Sequence, residues 1–249
     1  ASSSKGNAYA IIDRDGVVFI DCGISLRRLR QCCAAHGIDI NSAKAVLITH
    51  DHSDHVSGLG ALLDKFDLPV YTNYLTACKI ASDFDIPQDA FVCFENGQNF
   101  EIGNLRITPF STPHDAADSV GYLIESDDVN YFHATDLGTA LDSIGTYLAD
   151  ADIATLESNH DRVMLETSNR EMFLKRRIAG PRGHLSNDDA AELVKRFATP
   201  RLKRLFLAHL SEDCNSPSLA ESAMRDALKA TGMDDIELKA LPAIALEAQ

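Results

Sequence analysis

A chain of 249 residues, 45% of them hydrophobic, carries enough apolar material for a sizeable core. Its formal net charge of −14 argues against broad electrostatic attraction to nucleic acid. No apolar run approaches the ~20 residues that span a bilayer, and the Ser-rich start lacks the apolar stretch of a signal peptide. Six cysteines without CxxC spacing read as reduced, mostly buried thiols rather than a disulfide framework. These features predict a cytoplasmic protein with no membrane partner. No linker-like or low-complexity divide interrupts the chain, so a single domain over residues 1–249 is expected.

In chain order, the apolar runs Tyr9 to Ile12 and Val17 to Ile20 flank Arg14-Asp15-Gly16, which predicts a hairpin. Ser25 stands where an N-cap belongs, opening a helix through Ala35 that Gly37 closes. Ala45 to Thr49 reads as a strand, followed by a His-rich loop and a helix over Leu59 to Phe66. Pro69 to Thr72 and Phe91 to Phe94 read as strands, with a helix over Tyr74 to Ala81 between them. Gly103-Asn104 separates Phe100 to Ile102 from Leu105 to Ile107, a second hairpin. Further strands are expected at Val120 to Ile124, Tyr131 to Ala134, Ile153 to Leu156 and Leu205 to Ala208. Further helices are expected over Ser143 to Leu148, Ser168 to Ile178, Asp188 to Phe197 and Ser218 to Ala230. Early strands with interleaved helices predict an α/β layered protein with mixed sheets.

The densest chemistry is His50-Asp51-His52-Ser53-Asp54-His55, directly after the apolar run Ala45-Val46-Leu47-Ile48. A buried strand that opens abruptly into imidazoles and carboxylates offers the donor types that chelate a divalent cation. The same pattern, a polar group just past an apolar strand, recurs at Asp21, His114, Asp136 and His209. Sites in layered α/β proteins form at strand carboxyl ends, so these side chains can meet along one edge.

The spacing His50-x-His52-x-Asp54-His55, with Asp21, His114, Asp136 and His209 in order, resembles the metallo-β-lactamase fold superfamily. That resemblance covers nearly the whole chain and implies a four-layer αββα sandwich with the site at one edge. It further implies two divalent metal ions, one held by His50, His52 and His114 and the other by Asp54, His55 and His209. Asp136 would bridge the two, and Asp21 would steady the His-rich loop. Mixed nitrogen and oxygen ligands suit Zn²⁺ first, and the carboxylates also admit Mn²⁺.

Several further stretches are similar to the YycJ (WalJ) group, a branch associated with exonuclease action on DNA. They are Asp21-Cys22-Gly23, Glu157-Ser158-Asn159-His160-Asp161, Gly183-His184-Leu185-Ser186-Asn187 and His209-Leu210-Ser211. The opening Ser2-Ser3-Ser4-Lys5-Gly6-Asn7 is similar to that group's start, with its usual glycines partly replaced. Gly183-His184 and His209-Leu210-Ser211 are similar also to the phosphodiesterase branch containing RNase Z and PhnP.

The resemblance thus implies a phosphodiesterase, most concretely a 5′-directed exonuclease on single-stranded DNA. Two ions about 3.5–4 Å apart would share the attacking hydroxide. His184 would protonate the leaving alkoxide or hold a phosphate oxygen. His160 would line the cleft as a ligand neighbour or phosphate contact, making Asp54, His184 and His160 the candidate catalytic residues. Lys175, Arg176, Arg177 and Arg182 form a basic segment running into His184, a candidate rim for the substrate strand. With 7% aromatic residues and no tryptophan, no stacking platform is evident, which keeps a small cyclic phosphodiester as the alternative substrate.

Overall fold

The computed structural model describes residues 1–3 and 5–242, so Ser4 of the N-terminal run lies outside the described residues. The first half builds one sheet. Strands β1 (Tyr9–Asp13) and β2 (Gly16–Ile20) form the expected hairpin, paired from Tyr9 with Ile20 to Asp13 with Gly16. Helix α1 (Leu26–Ala35) starts where Ser25 Oγ accepts the Arg28 amide and ends before Gly37, whose φ of +67° needs a residue without Cβ strain. Then come β3 (Ala43–Leu47), the short α2 (Ser53–Val56) and α3 (Leu59–Leu63), β4 (Val70–Asn73), α4 (Tyr74–Phe84) and β5 (Phe91–Phe94). The strand order is β1-β2-β3-β4-β5, antiparallel in the hairpin and parallel thereafter.

The second half builds a sheet of seven strands. It runs β6 (Phe100–Ile102), β7 (Leu105–Ser111), β8 (Val120–Glu125), β9 (Asn130–Ala134), α5 (Asp142–Ala149) and β10 (Ile153–Glu157). It continues with α6 (Arg162–Thr167), α7 (Met172–Ile178), α8 (Asn187–Phe197), β11 (Arg204–Ala208), α9 (Pro217–Ala230) and β12 (Glu237–Ala240). The order is β12-β11-β10-β9-β8-β7-β6, parallel from β12 to β9 and antiparallel from β9 to β6.

Period-two alternation makes the layers. On β2, Val17 and Phe19 face the helices α1, α3 and α4, whereas Val18 and Ile20 face the other sheet. On β3, Val46 and Ala45 divide the same way, and Tyr122 and Ile124 of β8 meet this inner layer from across the sandwich. Leu123, Phe132, Leu156 and Leu207 turn outward onto α5, α8 and α9. The result is the expected αββα sandwich of two mixed sheets. Each fully buried Leu, Ile or Phe side chain contributes roughly 1.5–3 kcal/mol.

Four expectations change. The helix expected over Ser168 to Ile178 is shorter, running only as α7, and α6 before it is an added helix capped by Asp161, whose Oδ1 accepts the Met164 amide at 2.8 Å. Ser168 Oγ donates to the Leu165 carbonyl, a local bond that competes with helix continuation and leaves 168–171 as the corner. The strand expected over Ala45 to Thr49 runs instead over Ala43–Leu47, and β12 is an added edge strand. Of the cysteines, all free thiols, only Cys22, Cys33 and Cys214 are buried, fewer than expected.

Parallel pairing puts the carboxyl ends of β2 and β3 at one edge of the first sheet. In the second sheet β7, β9, β10 and β11 all run the same way, so their ends share an edge too. The turn after β2 packs tightly there: a Cβ on Gly23 would lie 1.6 Å from the Asp54 carbonyl oxygen. Gly23→Ala is therefore expected to cost about 1–3 kcal/mol, as overpacking against backbone does. Urea denaturation checks this as a lower midpoint with an unchanged slope.

Candidate metal centre

Three strands end on residues with left-handed backbone: Asp21 after β2 (φ +59°), Asp136 beyond β9 (φ +59°) and His209 after β11 (φ +55°). For an L-residue that conformation costs about 1–2 kcal/mol, and Asp and His are among the types that tolerate it. Neighbouring bonds hold each one. The Asp21 amide donates to the Leu47 carbonyl (2.8 Å), the His209 amide to Ser2 Oγ (2.7 Å), and the Leu137 amide, just after Asp136, to Glu157 Oε2 (2.8 Å). The kink swings each side chain off its sheet and into the space between the sheet edges.

All seven expected ligands meet there. Ligand atoms of His50, His52 and His114 lie within 4.8 Å of one another, and so do those of Asp54, His55 and His209. Asp136 touches both sets: Oδ2 is 3.3 Å from His55 Nε2, while Oδ1 is 3.7 Å from His114 Nε2 and 3.4 Å from His209 Nδ1. His50 Nε2, His209 Nε2 and Asp136 Oδ2 are buried without a hydrogen-bond partner. Orphaned buried acceptors are costly, and here they converge in a nitrogen and oxygen donor set that fits a divalent cation.

The rings are aimed from behind. His55 Nδ1 lies 2.7 Å from Asp21 Oδ2, which also accepts the Thr49 hydroxyl, while Asp21 Oδ1 accepts the Thr49 amide. His114 Nδ1 donates to the Gly183 carbonyl at 2.9 Å, and His209 Nδ1 faces Glu157 Oε1 at 2.9 Å. Each Nδ1 is thereby held from behind, which turns Nε2 toward the centre.

Charge follows the same arrangement. Burial opposes ionisation of Asp136, yet His209 and His55 beside it hold its carboxyl well below the usual range. Burial likewise opposes charge on Glu157, but His184 and His209 hold it down at about 2. Burial disfavours the His209 cation, and Asp136, Asp54 and Glu157 more than offset this, raising it to about 10. His50, in contact with no carboxylate hydrogen bond, is pushed well below its ordinary value by burial and by His55.

Glu157 is the residue that sequence reading left without a role. It ends β10, fully buried, and serves His184, His209 and the amides of Leu137 and Leu185. Its signal was present, since it too is a polar group just past an apolar strand. Asn7 is a second such residue: its Nδ2 lies 3.0 Å from His55 Nε2 and 3.3 Å from Asp54 Oδ2, giving the N-terminal loop a place at the centre.

His184 sits beside the centre, its Nδ1 2.8 Å from Glu157 Oε1 and 3.6 Å from Asp136 Oδ1, with 20% of its side chain exposed. His160 lies outside the ligand clusters; it is buried and lines, with His184, a cavity of about 500 Å³. The four expected substrate cations separate. Arg182 donates from Nε and Nη2 to the His114 carbonyl (2.9 and 2.7 Å), and Arg177 pairs with Asp115 at 2.6 Å. Both therefore brace the loop that carries His114. Lys175 donates to the Glu166 carbonyl, and Arg176 makes no hydrogen bond or ion pair among the described residues. His133 lies inside β9, fully buried, and His36 is exposed at the end of α1.

Glu157 yields a test with a defined sign. Its folded-state pKa of about 2 lies below the ordinary 4.5, so its stabilisation is full above pH about 4.5 and fades as pH falls toward about 2. In metal-stripped protein, Glu157→Gln is expected to cost about 3 kcal/mol at pH 7, of the size seen when a buried ion pair loses one partner. Urea titrations across pH check that the gap to wild type closes on acidification.

Comparison with known proteins agrees with this geometry. The beta-lactamase superfamily domain model matches residues 17–210. The chain is 33% identical over 233 residues to exodeoxyribonuclease YycJ of Bacillus anthracis, covering 93% of this chain and 88% of that one. It is 32% identical to exodeoxyribonuclease WalJ of Streptococcus pneumoniae serotype 2 over 90% of this chain and 84% of that one. Among solved structures, the metallo-beta-lactamase fold protein YhfI from Bacillus subtilis superposes with a TM-score of 0.72 at 18% identity, over 98% of this chain and 92% of that one. With that fold, its clustered ligand atoms and these relatives, the chain is a metal-dependent hydrolase that belongs to the beta-lactamase superfamily, in the branch that contains YycJ and WalJ.

Proposed function

We propose that this protein is a binuclear metal-dependent phosphodiesterase that degrades single-stranded DNA from its 5′ end. The observation that carries the reading is the convergence of two ligand triads, His50/His52/His114 and Asp54/His55/His209, on one shared carboxylate, Asp136. Zn²⁺ fits this donor set first, and Mn²⁺ second. Bound there, such ions supply Lewis-acid chemistry, neutralising charge on the phosphate and easing deprotonation of water.

The chain's own groups do the rest. Asp136 spaces the two triads, and Asp54, with its carboxylate partly open to solvent, borders the mouth where water enters. His184 is the general acid. Its Nδ1 is held by Glu157, so its other nitrogen, on the exposed side of the ring, is free to give a proton to the leaving 3′ or 5′ alkoxide. His160, which lines the cavity with His184, is a phosphate or sugar contact. Among the described residues no helix is long and apolar enough to cross a membrane. Six free thiols suit the reducing cytoplasm, and we take residues 1–249 as one domain there.

Two measurements test this. Metal analysis after dialysis is expected to find two ions per chain in wild type, none retained in Asp136→Ala, and about one in His114→Ala. Metal-loaded protein is expected to shorten 5′-labelled single-stranded DNA from the labelled end. His184→Ala is expected to slow that reaction by about 10²–10⁴-fold, and bis-p-nitrophenyl phosphate, whose leaving group needs no proton, far less. Turnover of only small diesters would replace the nuclease reading with the cyclic phosphodiester one.

A further inference from the structure

The α6–α7 corner carries features that the metal centre does not use. Val163, Met172 and Phe173 are 66%, 60% and 73% exposed, an unusual display for one short segment. The same segment is basic. Residues 162–182 hold six cations against two carboxylates, in a chain whose net charge is −14. Arg162, Arg170 and Arg177 are neutralised by Asp189, Asp213 and Asp115. Of the other three cations Arg182 is held by the His114 carbonyl, while Lys175 and Arg176 line the 500 Å³ cavity together with Glu166 and Asp189.

Helical spacing sorts α7 into two rows. Met172, Lys175, Arg176 and Ala179, at i, i+3, i+4 and i+7, line the cavity together. Phe173 lies one turn before Arg177 on the adjoining row. Arg177 reaches Asp115, the neighbour of His114, and the exposed Phe173 stands one helical turn from Arg177 on the same face of α7. His160 lines the same cavity, 2% exposed, with a buried Nδ1 that has no partner. A volume of about 500 Å³ lies within the usual ~300–1,000 Å³ of small-ligand sites.

An apolar floor, a positive pair, an unpartnered buried nitrogen and an exposed aromatic ring are together what a nucleotide end requires. Aromatic stacking accepts any base, and cations track the backbone. Lys175 and Arg176, which line the cavity beside the metal centre's His184, supply charge complementarity to a phosphate there.

We propose that α6 and α7 form the DNA-holding rim of the site. Phe173 stacks on a base of the single strand, the cavity between Met172 and His160 seats the terminal nucleotide, and Arg176 with Lys175 holds its phosphate. This rests on the nuclease reading above and adds to it the residues that grip the strand.

The test uses metal-loaded full-length protein and a short single-stranded oligonucleotide with phosphorothioate linkages and 2-aminopurine as its 5′-terminal base. Wild type is expected to bind it, by anisotropy, and to quench the terminal fluorescence. Phe173→Ala is expected to bind about tenfold or more weakly and to lose the quench, while Phe173→Trp restores both. Arg176→Ala is expected to weaken binding and to lower the salt slope by about 0.7, one phosphate contact on a single strand. Val92→Ala, on the far edge strand β5, serves as the exposed apolar control and is expected to bind as wild type. If wild type degrades DNA while Phe173→Ala and Arg176→Ala bind and quench normally, the rim lies elsewhere and the proposal is overturned, with the nuclease reading intact. If wild type cleaves only small diesters and binds no oligonucleotide, the nuclease reading itself has failed, and the rim with it.

Discussion

Imidazoles buried at a sheet edge are free to rotate and tautomerise unless something behind them removes the choice. Here Asp21, Glu157 and the Gly183 carbonyl each take one Nδ1 proton, from His55, His209 and His114 respectively. The three acceptors come from three different strand ends or loops, so the ring orientations depend on the whole sandwich edge being assembled. An Nε2 on each ring turned toward the same centre is the consequence. The left-handed turns at Asp21, Asp136 and His209 serve that geometry, because an extended residue at those points would keep its side chain within the pleat.

Burial of so many polar groups is tolerable because the charges are paired. Asp136 and Glu157 are both fully enclosed and both stay ionised, held by imidazoles that are themselves raised in basicity by those carboxylates. His184 shares Glu157 with His209, so the candidate acid and one candidate ligand respond to the same carboxylate. Such sharing means that a change at Glu157 reaches the chemistry and the cation together.

The acidic composition and the basic corner are compatible. Most of the cations near the site are spent on structure: Arg182 and Arg177 brace the His114 loop, and Arg162 and Arg170 tie α6 to α8 and to the loop after β11. What remains positive is small, local and next to the cavity. A net charge therefore says little about the field at one cleft, which is set by the few unpaired groups lining it.

Much of this was legible in the residues alone. The apolar runs Val17 to Ile20 and Ala45 to Ile48 marked buried strands, Gly37 marked a helix end, and polar residues placed just past apolar strands marked the edge where ligands gather. Those are local signals, carried by neighbours in the chain. The later start of α7 was missed because the Ser168 to Leu165 bond outweighs a helical composition over 168–171. Glu157 was visible as a strand-end carboxylate, yet its duty was not, for its partners lie 20 to 52 positions away. Arg182 looked like a substrate contact until the fold placed the His114 carbonyl, 68 residues distant, within its reach. Residue types and strand endings follow from periodicity and donor chemistry; which nitrogen faces a cation, and which cation is spent on the backbone, follow only from contacts that exist once distant segments pack.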